Sequence, residues 1–124
     1  MKPYTVSVCM ATYNGERFIS RQIESVLCQL SSRDQVIISD DGSEDRTLEI
    51  LKKIGDSRIK FFQNSGKRNL VKNFENALRK AEGDFIFLSD QDDIWEPGKL
   101  KKMIGYLKDF DLAVSDCSII DNNE

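Results

Sequence analysis

The chain of 124 residues contains no histidine. Histidine is the usual side chain for proton transfer near neutral pH and a frequent zinc ligand. Its absence excludes histidine-dependent catalytic triads and the usual histidine zinc sites within this chain. Any proton transfer by these residues therefore has to use carboxylates.

Cysteine is also scarce, with only Cys9, Cys28 and Cys117. An odd number of cysteines at such wide spacing does not indicate a disulfide framework. We expect three reduced, buried thiols, in a strand, a helix and a strand respectively. This use of cysteine is typical of a cytoplasmic protein.

Long apolar runs are missing. The apolar stretch at residues 5–10 is too short for a signal peptide or a membrane span. The formal net charge is only -3, from 18 basic and 21 acidic residues, and no basic stripe alternates with aromatic residues, so nucleic acid is not an expected partner. The sequence predicts one soluble, cytoplasmic domain, residues 1–124, that acts on small molecules.

Five short strand-like runs alternate with helix-like segments. The predicted strands are residues 5–10, 35–39, 58–62, 84–88 and 112–116. This alternation is typical of an α/β fold in which helices flank a mostly parallel sheet.

The predicted helices have apolar residues at helical spacing. Asn14 is the expected N-cap of the first helix, whose apolar stripe consists of Ile19, Ile23, Val26, Leu27 and Leu30. The stripe of the third helix consists of Leu70, Phe74, Ala77, Leu78 and Ala81. A fourth helix follows Pro97, and we expect its lysines to face solvent, with contact to anionic lipid headgroups as the alternative.

Polar residues cluster directly after the first, second and fourth predicted strands. In an open parallel sheet, ligands bind beyond the carboxyl ends of the strands, near the point where the strand order reverses. The three segments are residues 11–15, 39–43 and 90–93. Each alone is compatible with a helix cap or a turn. Together they predict one ligand site at a single edge of the sheet.

The segment 90–93 has the sequence Asp-Gln-Asp-Asp and directly follows an apolar run. Its carboxylates repel one another, and a divalent cation would offset this repulsion while binding a diphosphate. A solvated turn is the alternative. The chain has neither a Gly-rich dinucleotide fingerprint nor a phosphate-binding loop that ends in Gly-Lys-Ser or Gly-Lys-Thr. A metal is therefore the expected phosphate holder.

Three segments together resemble the family 2 glycosyltransferases of the GT-A fold. They are residues 6–14 (VSVCMATYN), 37–43 (IISDDGS) and 90–93, in the order and spacing of that family. Asn73-Phe74 and residues 90–95 also resemble the rhamnosyltransferase-like enzymes of bacterial surface polysaccharide synthesis. The resemblance implies a Rossmann-like nucleotide-binding half that uses a UDP- or dTDP-sugar, with a saccharide or lipid-linked saccharide as acceptor.

The resemblance also implies roles for individual residues. Asp41 would accept a hydrogen bond from the N3–H of uracil or thymine, and Asp92 and Asp93 would bind Mg or Mn. The other nucleotide-binding residues that it implies are Ala11, Thr12, Tyr13, Asn73 and Asp90. In the inverting enzymes of this family, a carboxylate that follows the nucleotide-binding half is the general base. We expect this base beyond Glu124, so that residues 1–124 contain no catalytic residue, lack the acceptor-binding half and are inactive alone. The full enzyme would work in the cytoplasm, with peripheral association at the inner face of the membrane.

Two other classes stay open at this point. A sugar nucleotidyltransferase would need a Gly-rich, basic loop after the first strand, where residues 12–17 supply only Gly15 and Arg17. A non-catalytic regulatory module, such as a receiver domain, would carry its acidic pair after the first strand. Here the carboxylates follow the second and fourth strands instead.

Overall fold

The structure is a computed structural model that describes residues 3–121. Strands and helices alternate along the chain. In order they are β1 (Val6–Thr12), α1 (Ile19–Leu27), β2 (Gln35–Asp40), α2 (Thr47–Ile54), β3 (Ile59–Gln63), α3 (Leu70–Leu78), β4 (Phe85–Asp90) and α4 (Lys99–Leu107). The first four predicted strands are confirmed to within two residues at each end.

The four strands form one sheet in the order β3-β2-β1-β4, and all neighbouring strands are parallel. At the carboxyl edge of the sheet, Thr12 pairs with Asp40 and Ala11 pairs with Asp90. The strand order reverses at β1, because β2 lies on one side of it and β4 on the other. The expected α/β fold is confirmed, and its geometry places three polar strand ends next to one another.

Helices cover both faces of the sheet. On one face, α1, α2 and α4 pack on a core that includes Val8, Val36 and Phe87. On the other face, Ala77 of α3 packs on Cys9 and Ile37. Every residue of β1 is buried, since this strand has a neighbour on each side and is covered on both faces. The predicted stripe of the first helix is buried throughout.

The predicted apolar stripe of α3 is only partly correct: Ala77 is buried and Phe74 and Ala81 are partly buried, but Leu70 and Leu78 are exposed. Leu70 is 62% exposed and Leu78 is 38% exposed, whereas Asn73 and Ala77 are buried against the sheet. Polar side chains of α3 explain this difference, because Asn73 Nδ2 donates to the Thr12 carbonyl and Asn76 Nδ2 donates to Ser39 Oγ. These hydrogen bonds to strand ends set the rotation of the helix.

The predicted fifth strand, residues 112–116, is wrong, because this segment has no regular structure. Leu112 is 80% exposed and Val114 is 87% exposed. A strand needs a neighbouring strand for its ladder of hydrogen bonds, and among residues 3–121 none pairs with this segment. The apolar composition of residues 112–116 was therefore not sufficient to predict a strand there.

Two local expectations also need correction. Asn14 does not cap α1, which begins after Phe18; its backbone is left-handed, with φ 46°, and its side chain accepts a hydrogen bond from Glu44 N. All three cysteines are free thiols, but only Cys9 is buried. Cys28 lies at the end of α1 and Cys117 on the irregular segment after α4, where neither reaches the core. No helix within residues 3–121 is both long and apolar enough to cross a membrane.

Candidate functional site

A groove of about 430 Å³ opens at the carboxyl edge of the sheet. This volume lies in the range of small-molecule sites. Its walls come from the ends of β1, β2 and β4 and from the start of α3. The lining residues are Ala11, Thr12, Tyr13, Asp41, Arg68, Asn69, Leu70, Asn73, Asp90, Gln91 and Asp92. Of the predicted site residues, only Asp93 is outside this lining.

Two adjacent aspartates follow β2, and the structure gives them different environments. Asp40 is fully buried and accepts hydrogen bonds from Thr12 Oγ1 at 2.7 Å and from the backbone N–H groups of Gly42 and Ser43. Its carboxylate thus shapes the turn and fixes the Thr12 hydroxyl. Asp41 is the residue of this pair that lines the groove.

The Asp41 carboxylate is held in place by two donors. Asn64 Nδ2 donates to Oδ1 at 2.8 Å, and the backbone N–H of Asn69 donates to Oδ2 at 3.2 Å. The backbone N–H of Asp41 itself donates to the Thr12 carbonyl. Because a carboxylate oxygen can accept more than one hydrogen bond, Asp41 remains able to accept from a ligand in a fixed orientation.

Tyr13 and Arg68 stack at the side of the groove. The Arg68 guanidinium carbon lies 4.2 Å from the centroid of the Tyr13 ring, which is a cation–π contact. Arg68 therefore brings a positive charge to a groove whose other ionised side chains, Asp41, Asp90 and Asp92, are all negative.

Gln91 joins the loop after β4 to the loop after β1. Its Oε1 accepts from Tyr13 N and its Nε2 donates to Tyr13 O, each at 2.9 Å. The side-chain amide thus pairs with one backbone residue through both of its polar atoms. The two loops are thereby fixed against each other in the lining of the groove.

Asn73 is almost completely buried, with 1% of its surface exposed. Its Nδ2 donates to the Thr12 carbonyl at 3.3 Å, whereas its Oδ1 has no hydrogen-bond partner among the described residues. A buried acceptor without a partner costs about 1 to 3 kcal/mol. Asn73 therefore places an acceptor in the groove lining that no described residue uses.

The carboxylates after β4 lie close together. Partial burial raises the pKa of the Asp90 carboxyl, and the nearby charges of Asp93 and Asp92 raise it further. Within residues 3–121, no group of three or more His, Cys, Asp or Glu side chains is arranged to hold a metal ion by itself. The loop thus offers one or two carboxylates to a cation, which would need further oxygen ligands from elsewhere.

Four residues of the groove lining were not predicted from the sequence: Arg68, Asn69, Leu70 and Gln91. The first three follow β3, and the rule that ligands bind at the carboxyl ends of parallel strands would have pointed to them if it had been applied to that strand also. Gln91 stands inside the predicted acidic loop, but its pairing with Tyr13 has no sequence signal.

The groove and fold can be compared with known proteins. The family model for glycosyl transferase family 2 matches residues 7–124. The Escherichia coli protein "UDP-Glc:alpha-D-GlcNAc-diphosphoundecaprenol beta-1,3-glucosyltransferase WfgD" is 35% identical over 125 residues, which cover 99% of this chain and 49% of that protein. The "dTDP-rhamnosyl transferase RfbG" of Shigella flexneri is 37% identical over 105 residues, which cover 79% of this chain and 36% of that protein.

A solved crystal structure also has a similar fold. The crystal structure of S. aureus TarS 1-349 in complex with UDP-GlcNAc superposes with a TM-score of 0.72 and 32% sequence identity. The match covers 84% of this chain and 31% of that one. This chain therefore spans about half or less of the proteins it is compared with. Since the family match extends over residues 7–124 and the fold agrees, the resemblance is confirmed and the chain belongs to glycosyl transferase family 2.

Proposed function

We propose that the groove binds the nucleoside diphosphate part of a UDP- or dTDP-sugar, and that the protein transfers the sugar to a saccharide or lipid-linked saccharide acceptor with inversion. The names of WfgD and RfbG, which specify UDP-Glc and dTDP-rhamnosyl transfer, support a pyrimidine nucleotide donor. The name of WfgD also supports a lipid-linked acceptor and bacterial polysaccharide synthesis as the setting.

One observation carries the proposal: a single groove is lined by an oriented carboxylate after β2 and by clustered carboxylates after β4, on either side of β1. Asp41, after β2, can accept the N3–H of a uracil or thymine. Asp90 and Asp92, after β4, would face a cation-bound diphosphate. Ala11, Thr12, Tyr13 and Asn73 also line the groove and would contact the nucleotide.

The carboxylates after β4 fit a divalent cation such as Mg or Mn. Such ions prefer hard oxygen ligands, and Mg²⁺ is usually held by one or two carboxylates together with substrate phosphates. We assign Asp92 and Asp93 as ligands. When bound, the cation would stabilise the negative charge that grows on the leaving diphosphate.

In the proposed reaction, an acceptor oxygen attacks the anomeric carbon while the bond from that carbon to the nucleoside diphosphate breaks. The acceptor proton passes to a base, and we assign this base to no residue of the chain. Asp41 and Tyr13 would keep the nucleoside fixed while the leaving group departs. We also propose a cytoplasmic location, because Cys9, Cys28 and Cys117 are all free thiols.

The test is calorimetry with UDP, with and without Mn²⁺, on the wild type and on Asp92→Asn and Asp93→Asn. We expect both variants to lose the Mn²⁺-dependent part of UDP binding, since each removes one ligand charge. Without ligand, their thermal stability should be unchanged or higher, because neutralising one carboxylate relieves repulsion.

The matched control is Asp111→Asn, which neutralises an exposed carboxylate outside the groove lining and should leave UDP binding unchanged. If Asp92→Asn and Asp93→Asn instead melt at lower temperature and bind UDP with Mn²⁺ as the wild type does, the loop is a structural turn and the proposal is wrong.

A further inference from the structure

Gln91 makes a contact that the proposed function leaves unexplained. Its side-chain amide replaces a backbone partner for Tyr13, with both hydrogen bonds at 2.9 Å across 78 positions of sequence. Both polar atoms of this amide are therefore engaged by Tyr13. Gln91 also lies in the groove lining, and its amide connects the loop after β4 to the loop after β1.

Gly15 shows how closely Gln91 fits. A Cβ on Gly15 would overlap the side-chain amide of Gln91, whose Cδ would be 2.7 Å away. The three nearest atoms to such a Cβ all belong to Gln91. The φ of Gly15 is outside the left-handed range, so the backbone itself accepts alanine. A glycine at this position therefore serves to make room for the Gln91 amide.

We propose that Gln91 is a positioning residue that holds the cation-binding carboxylates and the nucleoside-binding Tyr13 at the separation required by one nucleoside diphosphate. This inference rests on the proposed function, because it needs a ligand that spans both loops. Gln91 is flanked by Asp90 and Asp92, and Tyr13 lies on the neighbouring loop of the groove. The amide pairing fixes the distance between these two half-sites before the ligand arrives.

The proposal predicts different effects for ligands that contact one loop and for a ligand that contacts both. UDP with Mn²⁺ engages both loops and benefits from their fixed separation, since preorganisation lowers the ordering cost of binding. Uridine touches only the nucleoside end, and Mn²⁺ alone touches only the carboxylates. Loss of the Gln91 pairing should therefore lower the affinity for UDP with Mn²⁺ and leave the affinities for uridine and for Mn²⁺ alone unchanged. If Gln91 had a purely structural role, its loss would lower all three affinities.

The experiment compares Gln91→Ala with Gly15→Ala, which displaces Gln91 from the other side although Gly15 does not line the groove. We expect each variant to bind UDP with Mn²⁺ about tenfold more weakly than the wild type, because the ligand would then have to order the two loops as it binds. Binding of uridine, followed by NMR titration, and of Mn²⁺ alone, followed by calorimetry, should change by less than about twofold. In the double variant, Gly15→Ala should add nothing to Gln91→Ala.

Gln29 provides a matched control. Its Oε1 accepts from Leu100 N and its Nε2 donates to Glu96 O, each at 2.9 Å, so it makes the same kind of pairing away from the groove. Gln29→Ala should lower thermal stability at least as much as Gln91→Ala and leave all three ligands unaffected.

The outcomes separate this inference from the proposed function. If the wild type shows no Mn²⁺-dependent UDP binding, both are wrong. If the wild type binds UDP with Mn²⁺ and Gln91→Ala binds it equally well, only the positioning role is wrong. A parallel loss of UDP, uridine and Mn²⁺ binding, together with a lower melting temperature, would also overturn the positioning role.

Discussion

Replacement of Asp41 by alanine tests the base-recognition part of the proposal. The carboxylate is oriented by Asn64 Nδ2 at 2.8 Å and by the Asn69 N–H at 3.2 Å. The N3–H of uracil or thymine would donate to it, whereas a purine presents a different edge. Wild-type protein should therefore bind UDP and dTDP more tightly than ADP and GDP.

The magnitude follows from the kind of bond that is lost. A hydrogen bond to a charged group contributes about 1.5 to 3 kcal/mol. Since about 1.4 kcal/mol corresponds to a factor of ten, Asp41→Ala should weaken UDP binding by roughly 10- to 150-fold. The affinity for ADP should change much less, because adenine has no ring N–H on the corresponding edge to donate to Asp41.

Isothermal titration calorimetry with the four nucleotides in Mn²⁺ measures these differences. Asn64→Ala is the control, because it removes one donor that orients Asp41 and leaves the carboxylate in place; its loss of UDP affinity should be smaller than that of Asp41→Ala. Thermal stability of both variants should be close to that of the wild type, since Asn64 and Asn69 are partly or fully exposed and can bond to water. Equal affinity of the wild type for all four nucleotides would refute the assignment.

Three further predictions concern stability and reactivity. Arg58 holds the pKa of Asp56 at about 2, below its ordinary value, so the ion pair stabilises the fold above pH 4 and this contribution disappears as pH falls from 4 to 2. Urea unfolding should show Asp56→Asn to be less stable by about 1 kcal/mol at pH 7, and a difference that persisted unchanged at pH 2 would contradict this. Gly83→Ala should destabilise the folded protein by about 1 to 3 kcal/mol, because the new Cβ would lie 2.5 Å from Ser7 N. Gly105→Ala should instead stabilise the folded protein by about 0.5 to 1 kcal/mol, because Gly105 lies in α4 and its new Cβ would meet no other part of the protein within 4 Å. Burial raises the pKa of the Cys9 thiol to about 11, so a thiol reagent at pH 8 should label Cys28 and Cys117 in the folded protein and reach Cys9 only after unfolding.

The predicted elements show what local sequence can specify. Four strands and the buried face of α1 followed from the spacing of apolar residues, because a residue's position in a strand or helix decides which way its side chain points. The location of the groove also followed from sequence, since polar strand ends in a parallel sheet meet at one edge. The polar segments at residues 11–15, 39–43 and 90–93 therefore predicted where the groove lies.

The errors in the predicted fifth strand and in the predicted rotation of α3 have the same physical cause. The segment 112–116 has strand-like composition but no partner strand among the described residues. The rotation of α3 is set by hydrogen bonds from Asn73 and Asn76 to the ends of strands far away in sequence. Apolar periodicity describes what one segment can bury, whereas pairing and rotation depend on what a distant segment presents to it.

The division of roles within the site was decided by the tertiary structure. Asp40 and Asp41 are adjacent residues of the same type. Contacts with Thr12 and the following turn bury Asp40, whereas Asp41 lines the groove. Gln91 and Tyr13 meet across 78 positions because β1 and β4 are neighbours in the sheet. Sequence determined which residue types gather at the carboxyl edge, and strand order and register determined which atoms face one another there.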